Sequence, residues 1–153
     1  MLQAFIVVFI VVLDQLTKYL ARTYLKPVKS VPLIRNVFHF TYVENRGAAF
    51  GILQNQRWLF IALTVVVSAV IAYYLFVRTL ESPVLTIALS MILGGAIGNL
   101  IDRLWLGYVV DMLHFVLIDY PVFNVADSFV VIGTILLAYY ILFIADSGQK
   151  LFS

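Results

Sequence analysis

Residues 58–77 read WLFIALTVVVSAVIAYYLFV, twenty consecutive positions without a charged side chain. Arg57 and Arg78 stand immediately on either side of this run. A helix needs about 20 predominantly apolar residues to cross roughly 30 Å of hydrocarbon. The stretch therefore predicts a membrane-spanning helix with a positive charge at each end.

Three more apolar runs predict membrane-spanning helices, at about residues 2–22, 82–101 and 128–145. The run at 82–101 has Pro83 near its start, where a helix loses least from a missing N–H. The N-terminal run is interrupted by Asp14 and Lys18, but its flanks lack the basic region and the small-residue cleavage site of a secretory signal peptide. We therefore expect a retained first helix, and four spans put both chain ends on one side of the membrane.

The composition agrees with a membrane protein and excludes several classes of function. Of the 153 residues, 63% are hydrophobic and 12% are charged, whereas an ordinary soluble domain carries about 25% charge. The ten Lys and Arg residues are scattered, so a nucleic-acid-binding patch is not expected. The chain has no cysteine, and His39 and His114 show no spacing typical of metal ligands. We expect one membrane domain over residues 1–153, without a metal or other cofactor.

Two connections between the predicted spans are too long for simple turns: residues 23–57 and 102–127. Long loops in compact proteins usually carry function. Residues 37–43 are β-branched and aromatic, with Phe38, Phe40 and Tyr42 at every second position. This alternation predicts a strand with an apolar face at the membrane surface, and residues 47–56 predict a short amphipathic helix after it.

The second long connection contains two aspartates near apolar segments, Asp111 in its middle and Asp127 at its end. Each has an ordinary interpretation, since Asp111 suits an interfacial charge facing water and Asp127 suits the N-cap of the fourth helix. The connection contains Pro121 and can also fold the two carboxyl groups together. Two adjacent carboxyls share a proton, so that one acts as an acid while the other activates water for peptide hydrolysis. Residues 108–116 are again β-branched, and we expect them to pair with the strand in the first connection.

The first span contains a third aspartate, Asp14, one helical turn before Lys18. A charge at the centre of a bilayer costs about 2.5–3.5 kcal/mol on insertion scales, so such a residue is a candidate for function. The same spacing also suits a structural ion pair on one helix face. The residues alone leave both interpretations open.

Several polar residues near the same membrane face can orient the acids. Asn99 and Arg103 are one turn apart at the end of the third span, and Asn124 precedes Asp127 by three positions. Ordinary roles exist here too, because an arginine such as Arg103 can reach lipid phosphate and Asn45 is a common turn residue.

Five motifs occur in an order that resembles the bacterial lipoprotein signal peptidases, also called signal peptidase II. They are DQLTK at residues 14–18, NRGAAF at 45–50, GGAIGNLIDR at 94–103, GYVVDM at 107–112 and FNVADS at 123–128. Any one of them is weak evidence, but five in order in a four-span chain of this length are specific.

The resemblance implies an intramembrane aspartic endopeptidase that removes signal peptides from diacylglyceryl-modified prolipoproteins, cutting before the modified cysteine. It implies that Asp111 and Asp127 are the catalytic pair. It implies a supporting or substrate-binding role for eight further residues: Asp14, Lys18, Asn45, Gly47, Asn99, Arg103, Asn124 and Ala126. The implied fold is mainly α, with four transmembrane helices, a small extracytoplasmic β-cradle and a short surface helix. The implied partners are the prolipoprotein, membrane lipid and, as inhibitors, globomycin-type peptide antibiotics.

The charge distribution and the resemblance disagree about orientation. Six basic residues lie in or beside the long connections: Lys26, Lys29, Arg35, Arg46, Arg57 and Arg103. The positive-inside rule would place these connections in the cytoplasm. The resemblance implies the opposite, with cytoplasmic chain ends and an active site near the extracytoplasmic face of the bacterial cytoplasmic membrane, and we follow the resemblance.

Other functions are compatible with the residues taken alone. A proton- or ion-coupled transporter subunit also uses membrane carboxylates, although these acids cluster near one face and no polar ladder crosses all four spans. A structural four-span protein would use the acids as caps and ion pairs. A presenilin-like protease is disfavoured because no Gly-x-Gly-Asp signature precedes Asp111.

Overall fold

The computed structural model describes residues 1–47 and 56–145. Within these ranges the long helices are α1 (Leu2–Leu20), α2 (Arg57–Val77), α3 (Pro83–Trp105) and α4 (Val125–Tyr139). Turns of π-helix extend α1 through Ala21–Leu25 and α4 through Tyr140–Ile144. All four helices are long and apolar enough to cross a membrane, which confirms the predicted helical membrane fold.

Two of these helices extend past the predicted spans at their site-facing ends. α3 continues to Trp105, although the apolar run stops at residue 101, because the charged Asp102 finds partners inside the protein. α4 begins at Val125, before the predicted start at residue 128. The interpretation of Asp127 as an N-cap is wrong, because Asn124 is the N-cap and Asp127 is the third helical residue of a reciprocal capping box.

Three antiparallel strands form one small sheet in the order β1 (Ser30–Ile34), β2 (Phe38–Asn45) and β3 (Val109–Phe115). The predicted pairing between the two long connections is confirmed by β2 and β3. β1 was not predicted, because it contains Pro32 and reads SVPLI without a clear alternation.

The register of the sheet brings together residues that are distant in the chain. Val43 lies opposite Asp111, and Asn45 lies opposite Val109, so the end of β2 reaches the acid on β3. A register shift between Phe40 and Val43 interrupts the simple alternation that was predicted for this strand. Most of the predicted surface helix at residues 47–56 lies outside the described residues.

Small residues on α3 allow α1 and α4 to pack closely against it. A Cβ added to Gly94 would lie 2.9 Å from Cβ of Ile10, and one added to Gly95 would lie 2.7 Å from Cγ2 of Val130. Gly98 faces both neighbours, Asp14 on α1 and Ala126 on α4. This close approach lets short polar side chains on the three helices reach one another.

Candidate active site

Asp111 and Asp127 line one open cavity of about 550 Å³. β3 carries Asp111, while Asp127 lies in the first turn of α4. The other candidate residues that line this cavity are Asn45, Gly47, Asn99 and Arg103. The cavity thus collects six of the ten residues singled out in the sequence, from four elements and the turn after β2.

Asp111 is almost completely buried, with 1% of its surface exposed, and both of its carboxyl oxygens are engaged. Nδ2 of Asn45 donates to Oδ2 at 3.0 Å, and Nδ2 of Asn124 donates to Oδ1 at 2.7 Å. Burial first, and then the nearby Asp127 charge, raise the pKa of Asp111 to about 7. The two amide donors act in the opposite direction, because they favour the carboxylate.

Asp127 is more open than its partner and is held by a different pair of donors. Nδ2 of Asn99 donates to Oδ1 at 2.7 Å, and the backbone N–H of Asn124 donates to Oδ2 at 3.2 Å. The two acids therefore meet different surroundings in one cavity, which is the condition under which paired carboxyls take separate acid and base roles.

Asn124 connects the two acids. Its Oδ1 accepts from the backbone N–H of Asp127 at 2.8 Å. Its Nδ2 donates to Asp111 and also to Oδ1 of Asn99, at 3.1 Å. Because every polar atom of this carboxamide has a partner, its orientation is fixed and the helix start and both acids are positioned as one unit.

Asp14 and Lys18 form a buried ion pair behind the cavity, with 2.8 Å between Oδ2 and Nζ. Lys18 also donates to Oδ1 of Asn99 at 2.9 Å, and Oδ1 of Asp14 accepts from the backbone N–H of Ala126 at 2.9 Å. Neither Asp14 nor Lys18 is among the described residues that line the cavity. The geometry favours the structural interpretation, in which α1 supports the residue that holds Asp127 and the N-terminus of α4.

Two supporting residues were missed as candidates, although both lie within the quoted motifs. Asp102 is 3% exposed, accepts from the backbone N–H of Val110 at 2.9 Å and lies 3.4 Å from Nζ of Lys18. Gln15 donates to Oδ1 of Asp102 and to the carbonyl oxygen of Gly98, each at 3.1 Å. Position within a motif was their only signal, because most of their partners come from other elements of the fold.

Asn45 and Gly47 bring the end of β2 to the cavity. Oδ1 of Asn45 accepts from the backbone N–H of Gly47 at 2.9 Å, which is an ordinary side-chain turn. The same carboxamide donates to Asp111 through Nδ2, so one side chain both forms the turn and contacts a candidate catalytic acid.

The described residues offer no ready site for a metal ion. No group of three or more His, Asp or Glu side chains in residues 1–47 and 56–145 is arranged to hold one. The sheet does place His39 directly opposite His114, a pairing that their separation in sequence did not suggest.

Comparison with known proteins gives consistent matches over most of the chain. A family model described as "Signal peptidase (SPase) II" matches residues 6–143. The lipoprotein signal peptidase of Caldanaerobacter subterraneus subsp. tengcongensis is 56% identical over 138 residues, covering 90% of this chain and 94% of that protein. The lipoprotein signal peptidase of Clostridioides difficile is 47% identical over 149 residues, covering 97% of this chain and all of that protein.

The fold is similar to solved structures as well. A bacterial membrane enzyme determined by the in meso method at 2.3 Å resolution superposes with a TM-score of 0.88 at 33% identity, covering 97% of this chain and 92% of that one. A second structure of the same description, at 1.9 Å resolution, gives a TM-score of 0.83 at 34% identity over 93% of both chains.

Proposed function

Because this chain belongs to the signal peptidase II family and is an aspartic peptidase, we propose that it removes signal peptides from diacylglyceryl-modified prolipoproteins, cutting before the modified cysteine. The observation that carries the proposal is the shared cavity, in which Asp111 and Asp127 lie with separate amide donors. Paired carboxyls of this kind hydrolyse peptides without a metal, a cysteine or a serine nucleophile.

The different surroundings of the two acids support the roles that we propose for them. Asp111, with its pKa raised to about 7, starts as the carboxylic acid, and Asp127 starts as the carboxylate. Asp127 removes a proton from water as the water oxygen attacks the scissile carbonyl carbon, while Asp111 protonates the carbonyl oxygen. The tetrahedral diol collapses when Asp127 gives its proton to the leaving amine and Asp111 recovers one from a diol hydroxyl. The dyad returns to its starting protonation state.

The surface next to the dyad fits a lipid-modified substrate. An apolar groove of about 400 Å³ adjoins the cavity and shares Asp127, Tyr120 and Phe123 with it. Its other walls include Phe115 and Ile132, and the side chain of Ile132 is 48% exposed on the outer face of α4. Apolar substrate parts can therefore reach the dyad from the lipid, which supplies binding energy away from the scissile bond. Membrane lipid is thus the surroundings from which the substrate enters the groove.

We place the site near the extracytoplasmic face of the bacterial cytoplasmic membrane, against the simple charge count. Several of the cations behind that count have partners in the folded protein. Lys26 lies 2.9 Å from the Glu44 carboxylate, and Arg46 lies 3.8 Å from it. Arg57 donates to main-chain carbonyls at the end of α3, and Arg103 lines the cavity. Because these cations make contacts within the folded protein or line the site, they indicate membrane orientation less clearly than unpaired charges in a loop do.

The same cavity is the proposed site for globomycin-type peptide antibiotics. A peptide that fills the space between the sheet and α4 would occupy the position of the scissile segment and exclude water from both acids. Competition with the substrate, seen as a raised KM at constant kcat, is the expected form of inhibition.

The experiment that tests the function uses the purified full chain and one prolipoprotein in two forms, with and without the diacylglyceryl group. Mass spectrometry of the products should show a single cut immediately before the modified cysteine, and only in the lipid-modified form. Equal cleavage of both forms, or cleavage elsewhere, would contradict the proposed substrate.

A further inference from the structure

The first turn of α2 holds Arg103 at two points. Nε of Arg57 donates to the carbonyl oxygen of Arg103 at 2.7 Å, and its Nη2 donates to the carbonyl oxygen of Leu104 at 2.9 Å. Phe60 lies one turn further along α2, and the guanidinium carbon of Arg103 stands 5.1 Å from the centroid of its ring. One contact fixes the main chain of Arg103 and the other fixes its side chain.

The contacts of Arg57 meet a need at the end of α3. The last carbonyls of a helix have no donors within the helix. The N–H groups of Leu106 and Gly107 both go to the carbonyl oxygen of Asp102. Arg57 donates hydrogen bonds to the next two carbonyl oxygens, those of Arg103 and Leu104. A cation is also favoured at this negative end of the helix dipole.

The position of Arg103 matters because its side chain lines the cavity with both acids. Within residues 1–47 and 56–145 its guanidinium donates no hydrogen bond, which suits a side chain that binds a ligand in the cavity. A flexible arginine loses conformational entropy when it binds, and a side chain already held in place loses less.

We propose that Arg57 and Phe60, here called the α2 clamp, are positioning residues that hold Arg103 for substrate binding. The inference rests on the proposed function, since the position of Arg103 affects activity only if the cavity binds a substrate. Neither clamp residue belongs to the five sequence motifs, and neither is among the described residues that line the cavity. The clamp acts through Arg103 alone.

The test compares Arg57→Lys and Phe60→Leu with wild-type protein in cleavage of a diacylated prolipoprotein. A lysine ammonium has no fork to serve both carbonyls, and leucine fills space without an aromatic face. Each change should lower kcat/KM by about tenfold, since small misplacements in a site are costly. The active fraction is measured by inhibitor titration, so that loss of folded protein is not counted as loss of rate.

A double-mutant cycle distinguishes positioning from general support of the fold. In an Arg103→Lys background, the clamp variants should cause no further loss of kcat/KM, because the side chain they position is already changed. Additive losses in that background, or wild-type kcat/KM in both single variants, would overturn the proposal.

Two control variants lie on α2 or at its C-cap. Arg78→Gln changes an arginine at the other end of α2, and Leu59→Ala changes a side chain that is 51% exposed beside Phe60. Both should keep the wild-type kcat/KM, and a loss as large as that of Arg57→Lys would contradict the clamp. A wild-type chain that does not cleave at all would contradict the proposed function, whereas an active chain indifferent to the clamp variants contradicts the clamp alone.

Discussion

Nδ2 of Asn124 donates a 2.7 Å hydrogen bond to Oδ1 of Asp111, and the same residue caps the helix that carries Asp127. The start of α4 and the acid on β3 are therefore joined by one side chain. A change at this position disturbs the folding of a helix end and the dyad together, and the two effects can be separated by the choice of substitution.

Asn124→Ala should destabilise the protein by about 1 kcal/mol through loss of the N-cap. It should also lower kcat by at least tenfold, because Asp111 loses a donor. Asn124→Ser restores a capping oxygen but supplies no amide donor, so it should recover the melting temperature and leave kcat low. Recovery of kcat together with stability in the serine variant would show that capping alone is the function of Asn124.

Activity should fall as pH rises through about 7, because Asp111 must hold a proton to act as the acid. Between about pH 3.9, the usual Asp pKa, and about pH 7, the folded chain holds this proton while the unfolded chain has lost it. The free energy of unfolding should therefore decrease as pH rises from about 4 to about 7. Asn45→Ala removes a donor that favours the carboxylate and should move the basic limb of kcat/KM to higher pH. A pH–rate profile measures this, and an unchanged limb in the variant would contradict the assignment of the acid.

Lys18→Met should destabilise the fold by about 3–5 kcal/mol, because Asp14 and Asp102 would lose their buried cation. Lys26→Met is the matched control, since its pair with Glu44 is largely exposed and should be worth at most about 1 kcal/mol. Adding Asp102→Asn to Lys18→Met should recover part of the lost stability. Equal effects of the two lysine variants on thermal unfolding would exclude a special role for the buried pair.

Gly95→Ala should destabilise the packing of α3 against α4 by about 1–3 kcal/mol. The added Cβ would meet the carbonyl oxygen of Ala126 and Cγ2 of Val130, and the carbonyl is main chain that cannot rotate away. Because Ala126 lies beside Asp127, activity should decrease with stability. Gly107→Ala provides the contrast, since an added Cβ would meet only the guanidinium of Arg57, with Nη1 at an ordinary contact distance of 3.6 Å, and the φ of +83° is what opposes a side chain there. Thermal unfolding of both variants measures the difference, and a neutral Gly95→Ala would contradict the tight contact.

The spans were predictable, and the two cavity acids could be singled out as candidates, because each depends on local properties of the chain. An uncharged run such as residues 58–77 is visible without any knowledge of its neighbours. Asp111 and Asp127 stood out because acids next to apolar segments are costly. The pairing of β2 with β3 followed from two β-branched segments in the only long connections between predicted spans.

What escaped prediction depends on contacts between elements. The apolar run ends at residue 101, but α3 continues because Asp102 is neutralised by Lys18 from α1. The start of α4 was misplaced because hydropathy does not distinguish an Asn cap from an Asp in the first turn. Arg57 was read as a flanking charge, whereas its donors serve the carbonyls of another helix. The pattern of residues along the chain does not show which side chains on different elements contact one another.

The most direct test of the catalytic dyad is the cleavage rate of a diacylated prolipoprotein by Asp111→Asn and Asp127→Asn, compared with wild type. Asparagine keeps the size of each side chain but can neither hold the acidic proton nor act as a base. The account predicts that each variant folds and binds the substrate, and that each loses at least about a thousandfold in kcat. Cleavage at the wild-type rate by either variant would contradict the central claim.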